Sequence, residues 1–354
     1  MGKYVVGNGI DDVYLHFLRE NFKAALDQDS NLRPNISKEH IAAVYDQHIA
    51  TAQARYGAFI SDLKKIMSEE AANKMAESLS KNNIMDIIEE TLHIKSGSLA
   101  DLAASVKELL MSQKAGTPNN IWDFQNRINE ALENGETGKA LTELQNLINH
   151  FNSINNEIGN INQVILDYCN KNPNSMTSKS LASTFMRNSN TIQIFNVNQA
   201  QFTSYKKLIE RLALLQKVVD NGQVTKNTTI QYINSKDELE DVAITEVVNR
   251  FNGLIAQILG GVGEAYTAMY AAVAVGQLFE EFSEELNKYP NLHAEVKGVG
   301  TQTKINGKIT KRDVEVVFSN GNISVSAGIT AKAKSPNKTT GKTSKTIFAT
   351  EKLN

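Results

Sequence analysis

The sequence predicts a mainly α-helical protein, a long helical arm with coiled-coil-like packing followed by a small C-terminal α/β domain. Three features carry this expectation. From Ile10 to about Tyr289 apolar residues recur every three or four positions, with few prolines to interrupt them. Within that span, Leu141, Leu144, Ile148, Phe151, Ile154, Ile158, Ile161, Ile165 and Tyr168 follow one another in steps of 3, 4, 3, 3, 4, 3, 4 and 3. After Pro290 the period changes from about 3.6 to 2, the change from helix to strand.

In the arm, helix starts are marked by residues that accept hydrogen bonds from unpaired first-turn amides. Asp11 and Asp12 precede the stripe Leu15, Leu18, Phe22 and Ala25; Ser37 precedes Ile41, Val44 and Ile49, with a continuation to Met67; Ser98 opens 99–111. Asn120 is placed to cap 121–132, which holds the one tryptophan, Trp122, as an anchor beside Phe124 and Ile128.

The step pattern from Leu141 to Tyr168 is a coiled-coil seam with one stammer, and it needs a partner helix. An intrachain hairpin with Phe202, Tyr205, Leu208, Leu212, Leu215 and Val219 is preferred over pairing with another copy. Residues 170–198, rich in Asn and Ser, read as a connector with one small helix at 181–186.

Residues 221–234 hold a second break with a strand-like run, 228–233. The expected division is therefore a helical arm and assembly domain at 1–221, a linker at 222–234, and an α/β domain with a basic tail at 235–354. Ser235-Lys236-Asp237-Glu238 fits a capping box, predicting a long helix through Val242, Val247, Phe251 and Ile255. Gly260, Gly261 and Gly263 then permit a bend or close packing, and set Glu264 at the start of a second helical half.

Composition narrows the function classes. With Cys169 alone, neither an intramolecular disulfide nor a multi-thiolate zinc site can form. The first eleven residues lack the apolar core of a signal peptide, and the most apolar stretch, 254–279, includes Glu264, so a buried helix is expected and not a membrane span. The six histidines are scattered; His40 and His48 lie eight residues apart, too far to share a metal. The net charge of −2 conceals an asymmetry: residues 291–354 carry 11 Lys or Arg against 4 Asp or Glu. A basic tail of that kind either contacts a polyanion or is simply solvated.

Among the C-terminal segments, 294–303 is a candidate strand, and 312–319 and 322–330 form a stronger pair joined by Asn320-Gly321, a dipeptide typical of tight turns. That turn would set Phe318 opposite Ile323, Val316 opposite Val325, Glu315 opposite Ser326 and Asp313 opposite Gly328. Alternation would bury Val314, Val316, Phe318, Ile323, Val325 and Ala327, and gather Asp313, Glu315, Ser324 and Ser326 on the other face. A solvated outer face accounts for those polar residues without any metal.

The Gly-rich approach to Glu264, the run Lys-Arg-Asp-Val-Glu-Val at 311–316 and Ile-Ser-Val-Ser at 323–326 together resemble the PD-(D/E)XK nuclease superfamily, above all versions found in tailed-bacteriophage proteins, where serine often replaces an acidic residue of the third motif. The resemblance spans about 120 residues, 235–354. It implies a nuclease-like α/β fold in which Glu264 and Asp313 are the metal-binding carboxylates, Ser324 stands for the acidic residue of the third motif and Ser326 for its lysine.

Carboxylate oxygens suit Mg²⁺, and the lysine stabilises hydroxide and the charge developing on phosphorus. Serine supplies neither charge nor acid, so the implied site is vestigial and no cofactor is expected; Mg²⁺ enters only if Lys311, Lys332 or Lys334 takes the place of the missing lysine. Lys311, Arg312, Lys332 and Lys334 are the candidate nucleic-acid contacts. The family's further helix and strand after its third motif are nearly absent, since 332–354 offers one more strand, near 346–349.

The resulting expectation is a phage-type virion structural or virion-packaged protein. Its inactive nuclease-like domain would touch protein or DNA, with other virion proteins, a second copy or DNA as partners, and the virion or host cytoplasm as location. An active Mg²⁺-dependent DNA nuclease and a non-enzymatic nucleic-acid-binding protein are the alternatives.

Overall fold

The computed structural model describes residues 5–6, 9–10, 54, 56–79, 84–94, 121–187, 190–234, 238–298, 302–305, 308–311, 314–332 and 349–351. The helix expected at 15–25, the first part of the one expected after Ser37, the helix at 99–111 and the Asn120 cap lie outside the described residues; of the continuation to Met67, residues 56–63 are helical and 64–67 turn away. The protein is mainly helical with a small antiparallel C-terminal sheet, the expected class. A short ladder of β1 (Val5–Val6) and β2 (Gly9–Ile10) comes first. The helices are α1 (Glu69–Leu79), α2 (Ile84–Leu92), α3 (Ile121–Glu133), α4 (Thr137–Lys171), α5 (Met176–Phe185) and α6 (Gln199–Asp220), with a 3₁₀ turn at Ile194–Val197 before α6.

The seam lies on α4, whose Leu144, Ile148, Phe151, Ile154, Ile158, Ile161 and Ile165 are buried. Its partners come from the same chain: α4 packs against α3 and α6. Tyr205 of α6 donates to Asn155 Oδ1, and Gln216 donates to Gln145 at 3.1 Å. Burial pushes the Tyr205 phenol up to about 12, so it keeps its proton and remains a donor at neutral pH.

The region after α6 departs from expectation. Strand β3 (Thr229–Ile233) pairs antiparallel with β4 (Leu239–Ala243), so the segment expected to start a helix behind the Ser235 capping box is a hairpin arm. The chain turns helical at α7 (Ile244–Asn249), and a further helix, α8, runs from Phe251 to Glu281. Burial does not alternate along β4, where Leu239, Glu240 and Asp241 are exposed and Val242 is buried; the strand is set by its five-residue ladder with β3, which pairs Val242 with Ile230. At the end of α7, the buried Gln125 amide donates to Val248 O at 2.8 Å, which ties α3 to the last turn of that helix.

Helix α8 is assigned as one unbroken helix through Gly260, Gly261 and Gly263, so Glu264 sits in its interior and not at the start of a new helical half. Gly260 and Gly261 serve close packing: a Cβ on Gly261 would lie 3.2 Å from Gln201 Cβ and 3.3 Å from the Phe195 ring. Further along, a Cβ on Gly276 would lie 2.3 Å from Thr177 Cα at the start of α5. There the Thr177 amide donates to Glu280 Oε1 at 3.1 Å, a carboxylate at a helix N-terminus where the dipole favours it. Between these contacts Ala265, Tyr266, Ala268, Met269, Tyr270, Ala271, Ala272 and Val273 are all buried. Such an all-round apolar helix needs cover on every side. Among the described residues no helix is long and apolar enough to cross a membrane.

After a short helix, α9 (Ser283–Leu286), come β5 (His293–Gly298), a ladder of β6 (Gln302–Ile305) with β7 (Lys308–Lys311), then β8 (Val314–Ser319), β9 (Ser324–Lys332) and β10 (Ala349–Glu351). The main sheet has the order β10-β9-β8-β5. Its register differs from the expected one by two residues: Phe318 pairs with Val325, Val316 with Ala327 and Glu315 with Gly328, so Gly321 and Asn322 form the centre of the turn. Gly321 has φ +88°, as the first central position of a II′ turn requires. The Asn320 side chain accepts from the Asn322 and Ile323 amides at 3.0 and 2.8 Å, which holds Asn320 outside the turn centre.

A shift of two leaves every side chain on its expected face. Val314, Val316, Phe318, Val325 and Ala327 are buried as alternation predicts; Ile323, now flanking the turn, is 40% exposed and is the exception. The buried face carries α8 across β5, β8 and β9, with Phe59 against Phe318 at 6.5 Å between ring centres.

The Gly276 contact yields a direct test. Gly276→Ala forces a methyl into the Thr177 backbone and should lower unfolding stability by about 1–3 kcal/mol, measured by urea denaturation.

Candidate functional site

Of the four residues singled out by the resemblance, three have described side chains. Glu264 lies on α8, the helix that crosses the buried face of the sheet, and is only 4% exposed. Its Oε2 accepts from Asn198 Nδ2 at 2.8 Å. Asn198 is itself the N-cap of α6, its Oδ1 accepting from the Ala200 and Gln201 amides. One carboxamide thus caps a helix with its oxygen and holds a buried carboxylate with its nitrogen. The pair ties α8 to the start of α6, and burial raises the cost of leaving either group unpaired.

Ser324 and Ser326 lie on the opposite strand face from Val325 and Ala327; Ser324 is exposed and Ser326 half-buried. Ser324 donates to Ser319 Oγ at 3.2 Å, and Ser326 is in register with Val317. Glu315 shares this outer face, where it pairs across to Lys297 of β5. Lys297 lies 3.3 Å from Glu295, both about half exposed, an ion pair worth little in water. The sheet therefore gathers Glu315, Ser324 and Ser326 as alternation predicts.

Asp313, Arg312 and Lys334 lie outside the described residues, and Lys311 and Lys332 are described by their strand backbone alone. Among the described residues no group of three or more His, Cys, Asp or Glu side chains is gathered as a metal site would need.

Sequence reasoning named Glu264 and missed its partner. The signal was present: Asn198 directly precedes the helical stripe of α6, the position where asparagine caps best. Gln125 was also overlooked, because a glutamine inside a helix gives no hint that it will donate to a carbonyl 123 residues away.

Other perturbed groups lie apart from this face. Tyr266 is held well above the usual phenol range by burial, with Glu89 and Glu157 adding to the shift. Arg211 is lowered by burial and by its neighbour Arg250, and burial raises the Cys169 thiol. A thiol shifted upward is a poor nucleophile at neutral pH.

Comparison with protein-family models, with curated proteins and with solved structures finds no match to this chain in any of the three.

The Asn198–Glu264 bond makes a measurable distinction. Glu264→Ala strands the Asn198 amide and should cost about 1–3 kcal/mol of stability, whereas Glu264→Gln preserves an acceptor and should cost clearly less. Equal losses in chemical denaturation would show that the bond itself contributes nothing.

Proposed function

We propose that this chain is a structural or packaged protein of a tailed-bacteriophage-type virion. Its helical arm, 1–221, serves assembly, and its nuclease-like part, 235–354, makes protein or DNA contacts and does not cut. In this reading the chain acts in the virion or the host cytoplasm, with other virion proteins or further copies of itself as partners.

The observation that carries the non-catalytic reading is the engagement of Glu264. A metal-binding carboxylate needs oxygens free for a hydrated cation, and this one is buried with an oxygen bound to a helix-capping asparagine. The serine at 326, where the resemblance places lysine, adds to it: a half-buried hydroxyl on the outer sheet face offers no positive charge to a developing phosphorane. The virion assignment is drawn from the resemblance in 260–264, 311–316 and 323–326.

DNA contact is favoured by the basic C-terminal segment, with 11 cationic against 4 acidic residues over 291–354. Lys311, Arg312, Lys332 and Lys334 are the residues proposed to meet phosphate, through a contact that salt weakens.

Full-length protein incubated with supercoiled plasmid and Mg²⁺ or Mn²⁺ should leave the plasmid intact. Metal-dependent nicking that is lost in Asp313→Asn would overturn this reading in favour of a working Mg²⁺ nuclease with a relocated lysine.

A further inference from the structure

The outward face of α4 differs chemically from that of the neighbouring α6. On α6 the exposed residues include Lys206, Glu210, Lys217 and Asp220, opposite charges at helical spacing as on an ordinary solvated face. On α4, from Thr142 to Asn170, the exposed residues are Thr142, Asn146, Asn149, Asn152, Ser153, Asn156, Gly159, Asn160, Gln163, Asp167 and Asn170. One of them is ionised, Asp167, and it accepts from Gln163 Nε2 at 2.8 Å. Asparagine and glycine are poor helix formers, so a face made of them weakens the helix that carries it. Solvation alone would be served better by lysine and glutamate, as on α6.

We propose that this amide face of α4 is a contact surface for a second copy of the chain, packed antiparallel about a two-fold axis at Asn156. Carboxamides donate and accept at once, so two identical stripes complement each other, as a self-complementary two-fold contact requires. Antiparallel pairing centred on Asn156 sets Thr142 against Asn170, Asn149 against Gln163, and Asn152 against Asn160. Ser153 then meets Gly159, small residues that let the helix axes approach near the centre.

Asp167, the one fully exposed charge of the face, selects the direction. Parallel pairing would bring Asp167 onto its counterpart, while the antiparallel arrangement sets the two about 33 Å apart along the axis. The stripe is about 42 Å long and one helix wide, which covers less than a standard interface, and it buries little apolar surface. The contact is therefore weak and forms where copies are concentrated. It does not rest on the proposed role of the C-terminal part, since a chain that cuts DNA can carry the same face.

The test uses the full chain with Cys169→Ser, so that each introduced thiol is alone. Under mild oxidation Asn156→Cys should give a disulfide-linked dimer, and a mixture of Asn149→Cys and Gln163→Cys proteins should give the mixed dimer. Lys217→Cys, exposed on α6, should give no disulfide-linked dimer. In sedimentation velocity from micromolar to millimolar concentration the unmodified chain should self-associate. The combined Asn149→Lys, Asn156→Lys, Gln163→Lys variant should associate at least about tenfold more weakly through like-charge repulsion. These lysines favour helix, so an unchanged far-ultraviolet spectrum verifies that the variant is folded. A chain monomeric throughout, association indifferent to the lysines, or cross-linking as fast through residue 217 as through 156 would overturn the proposal.

Discussion

The need to bury α8 on every side organises the rest of the molecule. A 31-residue helix with almost no polar face cannot lie on a surface, and four kinds of neighbour cover it. Helix α5 meets it at Gly276; α6 and the 3₁₀ turn meet it at Gly260, Gly261 and Glu264. Helices α1 and α2 pack along it, and β5, β8 and β9 close the remaining side. Glycine and alanine occur on this helix where the neighbours come nearest, because only a missing or minimal side chain lets backbones approach that closely. The sheet and the helical arm thus share one core element, and buried apolar residues form one continuous cluster from Tyr56 to Ala327.

Legibility followed the strength of local periodicity. The α4 seam was readable because nine apolar positions repeat over eight steps, and the structure buries its middle seven. The β8–β9 hairpin was readable from alternation and from a turn glycine, yet the register was misplaced by two. Asn-Gly can occupy the two central positions or the first two corners of a four-residue turn, and what decided it was the Asn320 side chain bonding to amides 322 and 323. The β3–β4 hairpin was half missed: the first strand was recognised, while a capping-box pattern at 235–238 drew the second into a helix. Four polar residues in a row are compatible with a cap or with a loop, and the pairing of Val242 with Ile230 lies too far along the chain for either pattern to foretell.

The candidate site was legible in part, and for the same reason. Alternation alone placed Glu315, Ser324 and Ser326 on one face. The surroundings of Glu264 were not legible, since its partner is 66 residues away and nothing in a linear pattern specifies that contact. The result changes how the carboxylate is understood. A glutamate in a glycine-rich helix invites comparison with metal-binding sites, while a glutamate held by a helix-capping asparagine is a structural joint between α8 and α6. The amide-rich face of α4 likewise became meaningful only once the structure showed which of its residues point outward.

The claim that α8 joins the helical arm and the sheet into one cooperative unit is tested most directly by native-state hydrogen exchange. Amides of α5, α8 and β8 should open with a common free energy equal to that of global unfolding. Exchange of β8 and β9 at a distinctly lower free energy, while α5 and α8 stay protected, would contradict it.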